Sequence, residues 1–327
     1  MCTAISLKTK KNFYFGRNLD LDYSFNYDVI VTPRNFEFKL RKSRSFKTKF
    51  AMFGMGIVVN NTPLYFESMN EKGLCVAGLN FPFFAHYNSV DENKINLAPF
   101  EIIPYILGNF INVHEAKNEL ELVNIIDEAF SVNMPNAPLH WIITDANENS
   151  IVLESTKDGL HIYDNPYCVL TNSPSFDYHY LNVFNYKYLS SERAINNLSP
   201  KLKLINLSEG LGSFGLPGDV SSPSRFVRAI YNKFNAYIDE DENKNIVQFF
   251  NILNSVSMIK GSVVTSDNKY EVTQYSCCLD YNNLIYYYKS YDNTLIKAFV
   301  IKNEYIISNE LTIHKLELEP EFDYVNN

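Results

Sequence analysis

Apolar and polar positions divide the chain into blocks of two periods. Residues 2–7 and 13–19 are apolar, β-prone runs on either side of Lys8-Thr9-Lys10-Lys11-Asn12, a pattern that predicts a β-hairpin. If Ile5 and Leu7 pair across from Phe15 and Phe13, Cys2 falls opposite Asn18, with Arg17 and Asp20 one or two rungs away. That register puts Arg17 on the face opposite Cys2. A bulge, a register shift or an end-on approach is then needed to bring the guanidinium to the thiol.

Further along, residues 27–32 alternate loosely, and the apolar runs 50–60 and 64–66 are broken by the turn signal Asn60-Asn61-Thr62-Pro63. Glu71-Lys72-Gly73 leads into a strand from 74 to about 80, stopped by Pro82, which cannot donate to a ladder. Helical spacing covers 99–108 and 113–123. Residues 139–144, 150–154, 159–163 and 169–171 read as consecutive strands joined by polar turns, an antiparallel meander. Ser224 is placed to cap a helix from 225 to about 237, and 245–258 is helical again. Strands resume over 270–279, 284–291 and 294–301. Alternating strand and helix blocks fit sheets packed between helical layers, and without a repeat or linker we read residues 1–327 as one domain.

Composition narrows the function classes. A net charge of -8 opposes a general phosphate-binding surface, so nucleic acid is not an expected partner. The basic stretch from Arg34 to Lys49 reads as a solvated loop or edge. The N-terminus lacks a basic segment followed by a long apolar run, and no span of about 18 uncharged residues occurs, so we expect no membrane association. Cys2, Cys75, Cys168, Cys277 and Cys278 are an odd count without zinc spacing, which points to reduced thiols and a cytoplasmic location. The six histidines are scattered, so neither a metal nor a cofactor is expected. The glycine-rich stretch 207–224 matches no nucleotide-binding loop; a substrate-facing loop and a packed surface loop both remain open.

The candidate chemistry gathers at Cys2. A small penultimate side chain normally permits removal of the initiator methionine, and loss of Met1 would give Cys2 a free α-amine. An α-amine and a thiol have reference pKa values of about 8 and about 8.5, so one residue can supply both nucleophile and base near neutrality. A cation such as Arg17 favours a thiolate, and a carboxylate such as Asp20 can hold the amine. An incidental cysteine in a structural hairpin is the competing reading.

Several segments decide between the two readings. Met1-Cys2-Thr3, Phe15-Gly16-Arg17-Asn18-Leu19-Asp20, Asn70-Glu71-Lys72-Gly73-Leu74, Ala77-Gly78-Leu79-Asn80-Phe81-Pro82, Leu139-His140-Trp141, Leu170-Thr171-Asn172-Ser173-Pro174, Gly215-Leu216-Pro217-Gly218-Asp219 and Ser224-Arg225-Phe226 resemble the choloylglycine hydrolase family. That family comprises bile salt hydrolases and penicillin V acylases, with an N-terminal nucleophile. The resemblance implies an α+β fold, the Ntn-hydrolase αββα sandwich with two mainly antiparallel sheets between helical layers, and commonly a homotetramer. It implies Cys2 as nucleophile with its own amine as base, and Arg17 and Asp20 as organisers of the two. Asn172 and the backbone N–H of Asn80 match the oxyanion donors, and Arg225 is the remaining polar member. The substrates implied are glycine- or taurine-conjugated bile salts, cleaved through a thioester. Asn80 follows the bile salt hydrolase pattern, where penicillin V acylases more often carry tyrosine. Leu19, Met134 and Leu139 are candidates for the apolar wall a steroid requires. The alternatives are a penicillin V acylase or other N-acyl amidase, a class II glutamine amidotransferase, which the Thr3-Ala4 pair disfavours, and a non-catalytic binding protein on the same scaffold.

Overall fold

The computed structural model of the chain describes residues 1–326. The chain begins with strands β1 (Cys2–Lys8), β2 (Phe13–Leu21), β3 (Asp28–Thr32), the short β4 (Glu37–Phe38) and β5 (Phe46–Lys47), then β6 (Met52–Val59), β7 (Thr62–Asn70), β8 (Cys75–Asn80) and β9 (Ile95–Leu97). Helices α1 (Ile102–Asn109) and α2 (Val113–Leu120) follow, then β10 (Val123–Ile125), β11 (Leu139–Thr144), β12 (Ser150–Thr156), β13 (Gly159–Asp164) and β14 (Val169–Leu170). Helices α3 (Phe176–Asn182), α4 (Ser222–Asn235) and α5 (Glu242–Asn254) lead to β15 (Val272–Asp280), β16 (Ile285–Ser290), β17 (Lys297–Val300), α6 (Asn303–Ile306) and β18 (Thr312–Lys315).

Two antiparallel sheets dominate. One is ordered β14-β1-β2-β15-β16-β17, the other β13-β12-β11-β8-β7-β6-β3-β18. Helices α4 and α5 lie against the first sheet, and α1 and α2 against the second. The amphipathic α5 shows why: Phe249, Phe250 and Leu253 are buried, and Phe249 packs its ring 6.3 Å from Tyr14 of β2. One core extends between the sheets and up to α4 and α5; the other, around Trp141, lies beneath α1 and α2. The result is the expected αββα layering.

The opening hairpin differs from its predicted register by one residue. Cys2 pairs with Leu19, Ala4 with Arg17 and Lys8 with Phe13. The turn sets this: Thr9 N–H donates to Asn12 O at 2.8 Å, and Thr9 Oγ1 accepts from the backbone N–H of Asn12 at 2.8 Å. A four-residue loop closed by its own threonine shifts every rung by one. Arg17 therefore shares the Cys2 face, between the sheets, and of the three routes left open the register shift is the one taken.

Other boundaries move for equally local reasons. The helix predicted over 113–123 stops at Leu120, and Val123–Ile125 pairs in parallel with β9. Residues 169–170 leave the meander and join the first sheet beside β1. Asn165 accepts from the N–H groups of Tyr167 and Cys168 and donates to Val169 O, turning the chain toward Ala4 and Ile5. Helix α4 begins at Ser222 after an N-cap at Ser221, with Pro223 in its first turn, three residues before the predicted start.

Candidate active site

Cys2 lies at the start of β1, flanked on one side by Leu19 of β2. On its other side, β14 pairs Ala4 with Leu170, and continuing that register brings Asn172 opposite Cys2. The Asn172 Oδ1 accepts from the backbone N of Cys2 at 2.6 Å and from Arg225 Nη2 at 2.7 Å. Two donors on Oδ1 orient the amide, and its Nδ2 donates to Asn80 O at 2.7 Å. One Nδ2 hydrogen is left for a further acceptor.

Asn80 ends β8. Phe81 N–H donates to Pro138 O at 2.7 Å, which makes the neighbouring rung, Asn80 with Leu139, the one whose backbone groups turn away from β11. The pairing of β7 with β8 spans only Ala77, Val76 and Cys75 on the β8 side, so it does not reach Asn80. Its N–H and C=O thus face the side on which Asn172 Nδ2 sits. Two preplaced donors on one side of a thiol can stabilise a tetrahedral oxyanion.

Arg225, from the first turn of α4, is fully buried and donates to Cys2 O at 2.5 Å, Thr3 Oγ1 at 2.6 Å and Val220 O at 3.0 Å in addition to Asn172. Burial pushes its pKa down, and Asp20 and Cys2 oppose that shift. Arg17 is equally buried. Its Nη1 donates to Gly78 O at 2.6 Å and Phe66 O at 3.1 Å, while Nη2 has no hydrogen-bond partner. Burial works against the Arg17 charge, but Cys2, Tyr275 and Glu67 more than offset it and hold its pKa above the ordinary value.

Asp20 occupies the rung next to Cys2, where its N–H donates to Met1 O at 2.9 Å. Its Oδ1 accepts from Thr273 Oγ1 at 2.6 Å, and its buried Oδ2 has no partner. Burial raises the Asp20 pKa, against the pull of Arg225 and the terminal amine. With Met1 in place, Cys2 N is a peptide nitrogen. The Met1 amine donates to Asp20 O at 2.7 Å and pairs with Glu271, and burial lowers its pKa.

All six predicted polar residues thus converge: Cys2, Arg17, Asp20, Asn80, Asn172 and Arg225. The apolar candidates separate. Leu19 is buried opposite Cys2. Leu139 stands opposite Asn80 but packs into the core around Trp141. Met134 belongs to the loop before β11, where its N–H bonds to Ser131 O at 3.0 Å, and its backbone is tied to that turn rather than to Cys2. A cavity of about 400 Å3 between the α3 segment and α4, lined by Tyr167, Tyr186, Tyr231 and Phe234, is separate from this cluster. Among the described residues no group of three or more His, Cys, Asp and Glu side chains is placed to hold a metal ion. Likewise, none of their helices is long and apolar enough to cross a membrane.

Sequence reasoning missed the residues that hold Asn172. His140 Nε2 bonds Thr171 O at 2.9 Å, His179 Nε2 bonds Asn172 O at 2.7 Å, and Asn172 N–H donates to Ser222 Oγ at 2.8 Å. Burial drives the His179 pKa down to about 4, so the ring is neutral and Nε2 carries the proton. It also missed Glu67, which pairs with Arg17 from the opposite sheet. No local pattern marks these residues: three of the four contacts join residues 31 or more apart, and the seven-residue step from Asn172 to His179 crosses from a strand end into α3.

This geometry has known counterparts. Residues 2–314 match the linear amide C–N hydrolases of the choloylglycine hydrolase family. The chain is 44% identical over 326 residues to the bile salt hydrolase/transferase of Lactiplantibacillus plantarum, covering 100% of both chains. It superposes on the C2A mutant of conjugated bile acid hydrolase from Clostridium perfringens with a TM-score of 0.91, at 39% identity and 100% coverage of both. Penicillin V acylase from Agrobacterium tumefaciens shares the fold, with a TM-score of 0.74 at 20% identity over 93% of this chain and 87% of that one. A match to the family over nearly the whole chain, with a buried cysteine at the start of the sandwich's first strand, makes this protein a member of the choloylglycine hydrolase family.

Proposed function

We propose that the protein is a bile salt hydrolase, which cleaves the amide bond of glycine- or taurine-conjugated bile salts through a thioester on Cys2. The observation that carries this reading is the Asn172 amide, which ties Cys2 N, Arg225 and Asn80 O into one unit. The full-length likeness to the Lactiplantibacillus plantarum enzyme supplies the substrate class.

In this reading Met1 is removed, and Cys2 N becomes an α-amine still held by Asn172 Oδ1. The unpartnered Asp20 Oδ2 takes a second amine hydrogen. The amine accepts the thiol proton and the thiolate attacks the amide carbon. The oxyanion forms against Asn172 Nδ2 and the Asn80 N–H. Collapse passes the proton from the α-ammonium to the departing glycine or taurine nitrogen. The freed amine then deprotonates water for hydrolysis of the thioester. Leu19 supplies apolar surface beside the sulfur.

Incubation with glycocholate, taurocholate and penicillin V tests the proposal. We expect release of glycine or taurine, and no amine released from any of the three rejects it; turnover of penicillin V alone selects the penicillin V acylase reading. Cys2→Ala is expected to fold and be inactive, and intact-mass measurement of active protein to show loss of Met1. The five cysteines are buried and unpaired with one another, which fits a cytoplasmic location. Ile195, Leu198, Ile205, Leu207 and Phe214, all strongly exposed between α3 and α4, support a homo-oligomer, with the tetramer our expectation.

A further inference from the structure

Two buried arginines, Arg17 and Arg225, and two buried carboxyl groups, Asp20 and Glu67, are grouped around the Cys2 end of the first sheet. Arg225 and Asp20 sit on the helix side of the first sheet; Arg17 and Glu67 lie between the sheets. Glu67, on β7, touches neither Cys2 nor Asn172. Its Oε2 lies 3.9 Å from Arg17 Nε and accepts from Tyr275 Oη at 2.6 Å. Its Oε1 accepts from Tyr286 Oη at 2.6 Å and from Cys277 Sγ at 3.5 Å. Three side-chain donors and a guanidinium converge on two oxygens, an arrangement suited to a carboxylate rather than to an acid that must itself donate. Arg17 meanwhile keeps Nη2 unpartnered although it is fully buried.

We propose that Glu67 is a positioning residue for Arg17, a buried counter-charge that sets how much of the guanidinium's field reaches the Cys2 sulfur. A buried Arg17 without its partner would bind the thiolate as its sole counter-ion, making it abundant but a poorer nucleophile. Sharing the cation with Glu67 keeps the sulfur reactive, and the two tyrosine hydroxyls set how strongly Glu67 competes. Burial pushes both tyrosine pKa values well up, so both remain donors across the working range. The titratable and charged groups facing this unit are Cys2 from β1, Arg17 from β2, Tyr275 and Cys277 from β15 and Tyr286 from β16, with Tyr27, ahead of β3, packed on Tyr275; Asp20 and Arg225 act on Cys2 from the other face of the sheet.

The proposal rests on Cys2 as nucleophile, so it is tested by a reaction that needs no bile salt: iodoacetamide alkylation of Cys2 against pH, read by peptide mass. Glu67→Gln removes the charge and is expected to move the acid limb of Cys2 alkylation down by about one pH unit. Glu67→Asp keeps the charge and should not move it down. Tyr286→Phe removes one donor, leaves Glu67 less neutralised and should move the limb up. An unmoved limb in folded Glu67→Gln overturns the proposal. If that variant does not fold, an unmoved limb in both Tyr275→Phe and Tyr286→Phe overturns it. Failure to release amine from bile salts, with the limb shifted as expected, would reject the substrate and leave the role of Glu67 standing.

Discussion

Lowering the pH toward 4 should destabilise this protein through His179. The ring stacks on Phe226 with centroids 4.8 Å apart, donates through Nε2 to Asn172 O at 2.7 Å and leaves Nδ1 buried without a partner. A proton on Nδ1 would be a buried charge with nothing to receive it, and burial holds the pKa at about 4 against an ordinary 6.5. The unfolded chain therefore takes up a proton below about pH 6.5 while the folded chain refuses it until about pH 4. The stabilisation is complete above the upper value and is lost as the pH falls to the lower one. At about 1.4 kcal/mol per pH unit this amounts to roughly 3 kcal/mol, a large share of the 5–15 kcal/mol typical of a folded domain. Urea unfolding of the wild type and of His179→Gln from pH 7.5 to 4 isolates the effect. Glutamine can donate to Asn172 O without titrating, and every other group contributes equally to both curves. We expect the wild-type curve to fall about 3 kcal/mol further than that of the variant. Parallel curves would refute the reasoning.

Two further outcomes test other regions of the structure. Asn172→Ala should lower kcat on glycocholate by about 10²- to 10³-fold, the usual cost of one oxyanion donor, with the far-ultraviolet spectrum unchanged; a loss below tenfold would remove Asn172 from that role. At Gly16 a Cβ would overlap the Cys277 carbonyl oxygen on β15, so Gly16→Ala must push β2 and β15 apart at the centre of the sheet; we expect a loss of more than about 3 kcal/mol in urea unfolding, and wild-type stability would contradict the strand spacing.

Much of the architecture is legible in the sequence because period alone carries it. The apolar runs at 139–144 and 150–154 and the helical spacing that begins at 245 each match an observed element, although the helix expected to reach 258 stops at Asn254. What escapes period is decided by single polar side chains. Asn165 redirects β14 to the other sheet by bonding three backbone groups, and Pro223 in the first turn with Ser221 at the N-cap starts α4 before the predicted cap. The six polar site residues are legible through family segments, each tied to a short motif. Their supports are not, because Glu67 reaches Tyr275 and Tyr286 across more than two hundred residues.

The hairpin shows how much rests on one such side chain. Strand side chains alternate with period two, so a one-residue slip exchanges the faces of β2 completely. With Cys2 opposite Asn18, Arg17 would have faced α5, while Asn18 would have turned inward. In the observed register Asn18 donates to Leu253 O at 2.8 Å on the helix side, and Arg17 reaches Gly78 O at 2.6 Å across the sandwich. Thr3, on β1, faces α4, where its hydroxyl accepts from Arg225 at 2.6 Å. The two arginines thus approach Cys2 from opposite faces of one sheet, and the approach of Arg17, the one carried by β2, does not survive a slip. The position of Arg17 originates in the Thr9 to Asn12 closure, seven residues from the sulfur, so a turn without catalytic groups determines whether that guanidinium shares the face of the thiol.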